Sequence, residues 1–341
     1  MNEPIFIARQ DTLEQEILPA HWLAQYKLFG EESYTFQDKG IWKKLCMSSA
    51  AANDRDMHAE ALEEMLTTFS AEHTGKWMLL VYGTDAAALE GLATMAAIAA
   101  NGTAMGAVVD NALLMHAIAN SETAMQRIAN SQTAMQRVAN NRGAMDAIGR
   151  SRIARDAVQA SPYYNSCIKE NDMAIAKLVV GFANLESARY SGCAGMAADS
   201  TAMTAVAASS TAMTAVAASS TAMTAVAASA TAMGKIAAVD AALSKLAAST
   251  TAMDALYARK KKLNGGSASK SGKFIILEIS ASNAFNTSKY GYATLSDGSK
   301  PDWSSYLAKY AFFQKYPKYA TYMLNDTDSD DYIYYFDIAS P

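Results

Sequence analysis

Methionine recurs every ten residues along two long stretches of the chain. In the first stretch Met95, Met105, Met115, Met125, Met135 and Met145 share one phase, and Ile98, Val108, Ile118, Ile128, Val138 and Ile148 each follow three residues later. In the second, Met203, Met213, Met223, Met233, Leu243 and Met253 fill the same slot, with Val206, Val216, Val226, Ile236, Leu246 and Leu256 at plus three. Alanine and threonine fill most of the remaining positions, and a Ser-Ser, Asn-Ser or Ala-Ser pair marks the junctions. Between Ser200 and Ser229 the unit STAMTAVAAS occurs in three identical copies. A fixed period of this kind sets the architecture before any single element is considered.

Alanine, methionine and the scarcity of aromatic residues favour helix over strand here. One unbroken helix does not fit the period. Ten residues at about 100° each turn about 1000°, some 80° short of three full turns, so the apolar stripe would circle the helix within a few units. Such a stripe offers no seam to a partner helix. Breaking the helix once per unit removes the drift. Serine and asparagine at the junctions are good N-caps. Thr-Ala-Met-Thr-Ala-Val-Ala-Ala then makes about two turns, with Met and Val on one face. A helix of that length is unstable alone and must stack on its neighbours. The expectation is a solenoid-like stalk of short helices, a spacer lengthened in fixed steps. Its core is expected at Met203, Val206, Met213, Val216, Met223 and Val226.

The pattern also sets the domain boundaries. Residues 86–158 form a first array, closed by a broken unit at Arg155 and Val158. Ser161-Pro162-Tyr163-Tyr164 disturbs the phase, and 159–192 reads as an interruption with helical spacing of its own. Cys193 and Met196 open a second array over 193–262. The sequence LNGGSASKSG at 263–272 has the composition of a flexible linker. Residues 1–85 read as a globular N-terminal domain. Within it a capped helix is expected at Asp11, an amphipathic helix at 53–69, and a short strand or the start of the array at 77–82. Trp22, Trp42 and Trp77 supply its large apolar area.

Residues 273–341 read as a small α+β domain, because they hold 16 of the chain's 31 aromatic residues in strand-like runs. Strands are expected at 274–280 and 290–295. A helix is expected from Asp302 as N-cap, and a hairpin from 319–324 and 332–338, closed by Asn325 to Asp331. The overall class is therefore mainly α with a small α+β C-terminal domain. Tyrosine suits recognition, being rigid and apolar with a polar tip. Tyr332, Tyr334 and Tyr335 are the recognition candidates.

Composition removes several function classes. A formal net charge of -4 and a pI of about 5.6 do not fit a nucleic-acid footprint. The stretch MNEPIFIARQ has neither the basic nor the apolar region of a signal peptide. Cys46, Cys167 and Cys193, odd in number and far apart, read as reduced thiols of a chain made in a cytosol. The uncharged run from Gly91 to Val109 has the length of a membrane span, but polar residues and the ten-residue pattern argue against one. His21, His58, His73 and His116 have no metal-site spacing, and no phosphate loop, dinucleotide motif or nucleophile elbow occurs. No cofactor and no enzymatic activity are expected. Asp326, Asp328, Asp330 and Asp337 have a calcium-loop-like spacing. The glycine at the sixth position is replaced by Asp331, so a solvated acidic turn is the favoured reading.

NSETAMQRIA at 120–129, NSQTAMQRVA at 130–139 and STAMTAVAAS resemble decapeptide arrays in virion proteins of tailed bacteriophages, especially tail fibres and head or neck appendages. The resemblance covers roughly residues 91–158 and 193–256. It implies a structural protein of the virion, made in the host cytoplasm and commonly a homo-oligomer such as a trimer. On this reading residues 1–85 bind other virion proteins and 273–341 form a distal domain facing a host surface receptor. The mobile joint expected at 263–272 motivates that orientation. The alternative is a capsid, neck or tail scaffold component that binds only other virion proteins.

Overall fold

The computed structural model describes residues 55–67, 74–75, 78, 82, 84, 86–89, 91–280, 291–302 and 306–341. The expectations for Asp11, Trp22, Trp42, Cys46 and Trp77 lie outside the described residues. The described part of the protein is mostly helical, with a small antiparallel sheet at the C-terminal end. The chain divides into two compact units, residues 1–168 and 169–341.

In the first unit α1 (Arg55–Thr67) and α2 (Ala86–Leu89) precede a series of short helices. These are α3 (Met95–Ala100), α4 (Gly102–Asp110), α5 (Ala112–Ala119), α6 (Glu122–Ala129), α7 (Gln132–Asn140), α8 (Arg142–Arg150) and α9 (Arg152–Ala160). A π-helical turn, Tyr164–Ile168, follows. Met78 and Tyr82, the described members of the expected strand at 77–82, are helical.

The breaks fall where the junction polar residues stand, and their geometry shows why. Asn101, Asn111, Asn141 and Ser151 each end one helix and begin the next. Each has extended backbone angles, Asn141 for example with φ -108 and ψ 119. One extended residue between two helices turns the chain sharply, and α4 and α5 meet at 100°. The side chain then accepts an N–H of the new first turn, as Asn141 Oδ1 does from Ala144 N at 2.9 Å. Such a cap satisfies a donor that the helix leaves unpaired.

Successive sharp turns bring each helix onto the one three places earlier: α6 packs on α3, α7 on α4, α8 on α5 and α9 on α6. Three ten-residue units thus complete one coil. The junction hydroxyls tie successive coils together. Ser131 Oγ donates to Ala99 O at 2.6 Å, Ser151 Oγ to Ala119 O at 2.5 Å and Ser161 Oγ to Ala129 O at 2.5 Å, in each case across 32 residues. The same Ser131 hydroxyl accepts Ala134 N at 3.3 Å, so one atom caps a helix and joins two coils. Asparagine does both jobs with its two ends: Asn141 Nδ2 donates to Asp110 Oδ1 at 2.9 Å. Met105, Met115, Met125, Met135 and Met145 are fully buried, as are the apolar residues three positions on. In the broken last unit Arg155 occupies the methionine slot. It is buried, donates through Nη1 to Gly149 O at 2.7 Å, and its guanidinium is held below its ordinary pKa by burial.

The second unit repeats this construction with α10 (Asp172–Phe182), α11 (Cys193–Ala198), α12 (Ser200–Ala208), α13 (Ser210–Ala218), α14 (Ser220–Ala227), α15 (Ala230–Ala237), α16 (Asp240–Ala247) and α17 (Thr250–Tyr257). Here α12 and α13 meet at 103°. Helix α13 packs on α10, α14 on α11, α15 on α12, α16 on α13 and α17 on α14. Ser229 Oγ donates to Ala197 O at 2.7 Å and Ser249 Oγ to Ala217 O, again 32 residues back. Val239 is an extended junction residue with no side-chain cap, and Gly192 at the start of α11 also lacks one. Val239→Ser should therefore stabilise the protein by about 0.5–1 kcal/mol by supplying the missing cap, read as an upward shift of the thermal midpoint.

The spacing of caps runs further than the spacing of methionines. Ser161 and Asn171 keep the phase of the first array, and Asn171 caps α10 by accepting Ala174 N at 3.1 Å. The interruption expected over 159–192 is confined, in cap spacing, to the segment after α10. There a 3-10 turn (Ser187–Arg189) is held by Lys177, which is fully buried and donates to Ser187 O at 3.0 Å. Gly192 stands against Asp172, where a Cβ would lie 2.1 Å from Oδ2, so a larger residue would displace the Asp172 carboxylate.

The sheet comprises β1 (Lys261–Asn264), β2 (Ala268–Ser280), β3 (Gly291–Leu295), β4 (Tyr306–Leu307), β5 (Ala320–Asn325) and β6 (Tyr332–Asp337), with a short helix, α18 (Ala311–Lys315). Its order is β1-β6-β2-β5-β3, all pairs antiparallel, with β4 against the end of β2. Phe274, Ile276, Ile279, Ala293, Leu295, Phe312, Ala320, Met323, Ile333 and Tyr335 form its core.

Three expectations need correction here. Residues 263–272 are not a free linker: Leu263 and Asn264 pair with β6, and 268–271 pair with β5. Between them Gly265 and Gly266 make a tight turn against the acidic loop, donating to Asp331 O and Thr327 O at 2.8 Å each. Strand pairing overrides the permissive composition. Residues 319–324 and 332–338 do not form a hairpin, because β2 is long enough to pair with both strands and lies between them. The helix expected from Asp302 does not run through the described residues as one element: Tyr306 and Leu307 pair with β2, and the helix there is α18.

Candidate functional site

Two carboxylates outside the regular pattern hold helix starts inside it. In the first unit Glu63, on α1, accepts Ser121 Oγ at 2.5 Å, Thr123 N at 3.1 Å and Thr123 Oγ1 at 2.5 Å at the start of α6. In the second unit Glu170 accepts Ser220 N at 3.2 Å, Ser220 Oγ at 2.8 Å and Thr221 N at 2.9 Å at the start of α14. A negative charge at these positions also suits the positive end of the helix. Each replaces the hydroxyl-to-carbonyl link used elsewhere in the array. Neither is legible in the sequence, since donor and acceptor lie about 50 to 60 residues apart.

Burial pushes the Glu170 carboxyl up, but bonds from the Thr221 and Ser220 backbone and hydroxyls outweigh it and hold the group below the usual carboxylate range. A carboxyl with a depressed folded pKa adds stability above the unfolded value, near 4.3. That contribution is lost as the pH falls through the folded value. Glu170→Gln should lower stability at neutral pH by on the order of 1 kcal/mol, the group being exposed. The difference from wild type should close below about pH 4, and urea titrations across pH read it directly.

Where α17 meets the sheet, aromatic rings and lysines form a cluster. Tyr257 is edge-on to Tyr310 at 5.7 Å and to Tyr334 at 6.0 Å between centroids. Its hydroxyl donates to Glu278 Oε2 at 2.6 Å, and Tyr310 donates to Asp254. Burial, then the neighbouring carboxylates, push both phenols up from their ordinary value. Lys260 lies 4.1 Å above the Tyr257 ring and Lys309 4.4 Å from it. Lys309 also pairs with Asp254 at 3.1 Å. The cluster seats the last helix of the array on the sheet, and its polar groups are already used within it.

The proposed recognition residues divide accordingly. Tyr332 and Tyr334 are half-exposed on β6 with ring centroids 4.5 Å apart, and Tyr334 belongs to the cluster around Tyr257. Tyr335 points the other way, into the sheet core, with 5% of its surface accessible, because alternate residues of a strand face opposite sides. It is not a surface residue. Tyr292 and Tyr322, which the sequence did not single out, are half-exposed and neighbours, 5.5 Å apart.

The four aspartates of the calcium-like spacing do not converge. Asp326 accepts from Ser267, while Asp337 lies on β6 beside Lys261 at 3.6 Å. Among the described residues no group of three or more His, Cys, Asp or Glu could hold a metal ion. No single described helix is long and apolar enough to cross a membrane. Met203, Val206, Met213, Val216, Met223 and Val226 are all fully buried, between stacked helices.

The geometry defines a protein of repeated short helices carrying a tyrosine-rich sheet. No protein-family model matches the sequence, and no curated protein matches it.

Proposed function

We propose that this chain is a structural protein of a tailed-bacteriophage virion, a fibre or appendage in which a solenoid of ten-residue units acts as a spacer. Residues 1–85 anchor it to other virion proteins, and the C-terminal sheet faces outward to a host surface. The observation that carries the reading is the regularity of the tie between coils, a hydroxyl bonded to a carbonyl 32 residues back, in both units. Where this tie recurs, one coil meets the next in the same way, so coils add length without altering what they join. The resemblance of the units to virion arrays supplies the context. With 263–272 folded into strands, the outward placement of the sheet rests on its half-exposed tyrosines and no longer on a mobile joint. In fibres of this kind the chain is a homo-oligomer, a trimer in the commonest form.

Purified virions carrying this protein with a gold label at residue 341 test the proposal. The label should appear at the free end of a projection. A label embedded in capsid or tail density would favour the scaffold role, and absence of the protein from the particle would end both readings.

A further inference from the structure

We infer that the outer face of strands β2, β5 and β3 is a binding site for an acidic saccharide. This deepens the host-facing reading of the sheet and rests on it for its biological setting, though the chemistry stands apart. The register builds a small grid. Ser269, Leu324 and Tyr292 lie side by side in one row, and Ser271, Tyr322 and Thr294 in the next. All six face away from the core, because Ala293 and Met323, between them along β3 and β5, are fully buried on the other side. The two serines are exposed and the other four half-exposed.

The tyrosine rings sit 5.5 Å apart with planes inclined at 40°, a shallow platform rather than a packed stack. Neither phenol hydroxyl has a hydrogen-bond partner among the described residues, unlike those of Tyr257 and Tyr310. Lys300 extends over the Tyr292 ring with Nζ 4.5 Å from its centroid, and it forms no ion pair among the described residues.

These groups match a charged sugar better than another ligand. Tyrosine offers a rigid apolar ring with a polar tip, which covers the C–H face of a pyranose while its hydroxyl bonds the sugar's own. Ser269, Ser271 and Thr294 add hydroxyls at strand spacing along the platform. The Lys300 ammonium, which pairs with no carboxylate among the described residues, supplies charge complementarity to a uronate or phosphate substituent. The chain as a whole carries a net charge of -4, so general attraction to a polyanion is not built in.

The test uses the purified full-length protein in native gels cast with polygalacturonate, or with dextran as the neutral comparison. Wild type should be retarded by polygalacturonate. Tyr322→Ala and Tyr292→Ala should each weaken that retardation at least about tenfold in apparent affinity, as removal of a central aromatic contact does. Lys300→Met should abolish the preference for the acidic polymer over dextran. Thr214→Ala, on an exposed position of the array, should change nothing. Circular dichroism of each variant confirms that the sheet is intact. Leu324→Ser, which keeps both rings, should reduce binding less than loss of a tyrosine. No retardation of wild type by polygalacturonate overturns the assignment. So does retardation that persists in Tyr322→Ala and disappears in about 0.5 M salt, which marks unspecific charge attraction. A virion component that is not retarded would sink this site and leave the fibre reading standing. A retarded protein absent from virions would do the reverse.

Discussion

Met213→Asp should dismantle the second array, whereas Thr214→Asp one residue away should leave it intact. Met213 is fully buried on α13, which packs on α10 on one side and α16 on the other. A carboxylate there has no partner and severs the stack at its middle, at a cost of about 4 kcal/mol or more. Thr214 is exposed, and its hydroxyl only bonds back to Ser210 O within the helix. Aspartate at that position should change stability by no more than about 0.5 kcal/mol. Urea unfolding followed by circular dichroism separates the two. Equal destabilisation by both would mean that the apolar slots are not where the coils meet.

The second large effect concerns the quantum of length. Deleting 200–229 removes three units, one whole coil. Deleting 210–219 removes one unit and turns everything after it by one side of the coil. The consequence can be followed at Glu170. After the thirty-residue deletion, Ser249, Thr250 and Thr251 take the places of Ser219, Ser220 and Thr221, and the carboxylate finds the same types of donor. After the ten-residue deletion it meets Ser229, Ala230 and Thr231, and the Ser220 hydroxyl is lost. The larger deletion has a cost of its own, because Val239 then stands where Ser209 donated to Phe182 O. Even so, the protein lacking thirty residues should melt closer to wild type than the one lacking ten. The reverse order, or complete loss of folding in both, would contradict a three-unit coil.

The number of units per coil is what the sequence did not disclose. The helix breaks and the buried slots were legible, because serine and asparagine caps and the Met/Val pair are local signals. The closure is not local. It depends on the turn at a single extended residue, about 100° between α4 and α5, and on a hydroxyl that reaches 32 residues back. STAMTAVAAS contains both hydroxyls and alanines but nothing that marks which carbonyl a given serine will meet. The same limit applies to the sheet. Strand sequences such as 274–280 and 332–337 were recognisable from their apolar and aromatic content. That β2 would separate β5 from β6 follows from long-range pairing and from the turn at Gly265 and Gly266. Composition made that turn look like a linker. Tyr335 was misplaced for a related reason: in the run YIYYF every residue is plausible on either face until a register is chosen.

The measurement closest to the central claim is a distance across one coil. Spin labels placed at Thr201 and Thr231, both exposed and both at the same position of the repeat, lie thirty residues apart in sequence. In stacked helices of successive coils the backbones at those sites should be about 8–10 Å apart. A continuous helix would separate them by about 45 Å. Strong dipolar broadening between the two labels, absent when the second label is moved to exposed Thr211, is the result expected of three units per coil. Broadening missing from the first pair and present in the second would contradict it.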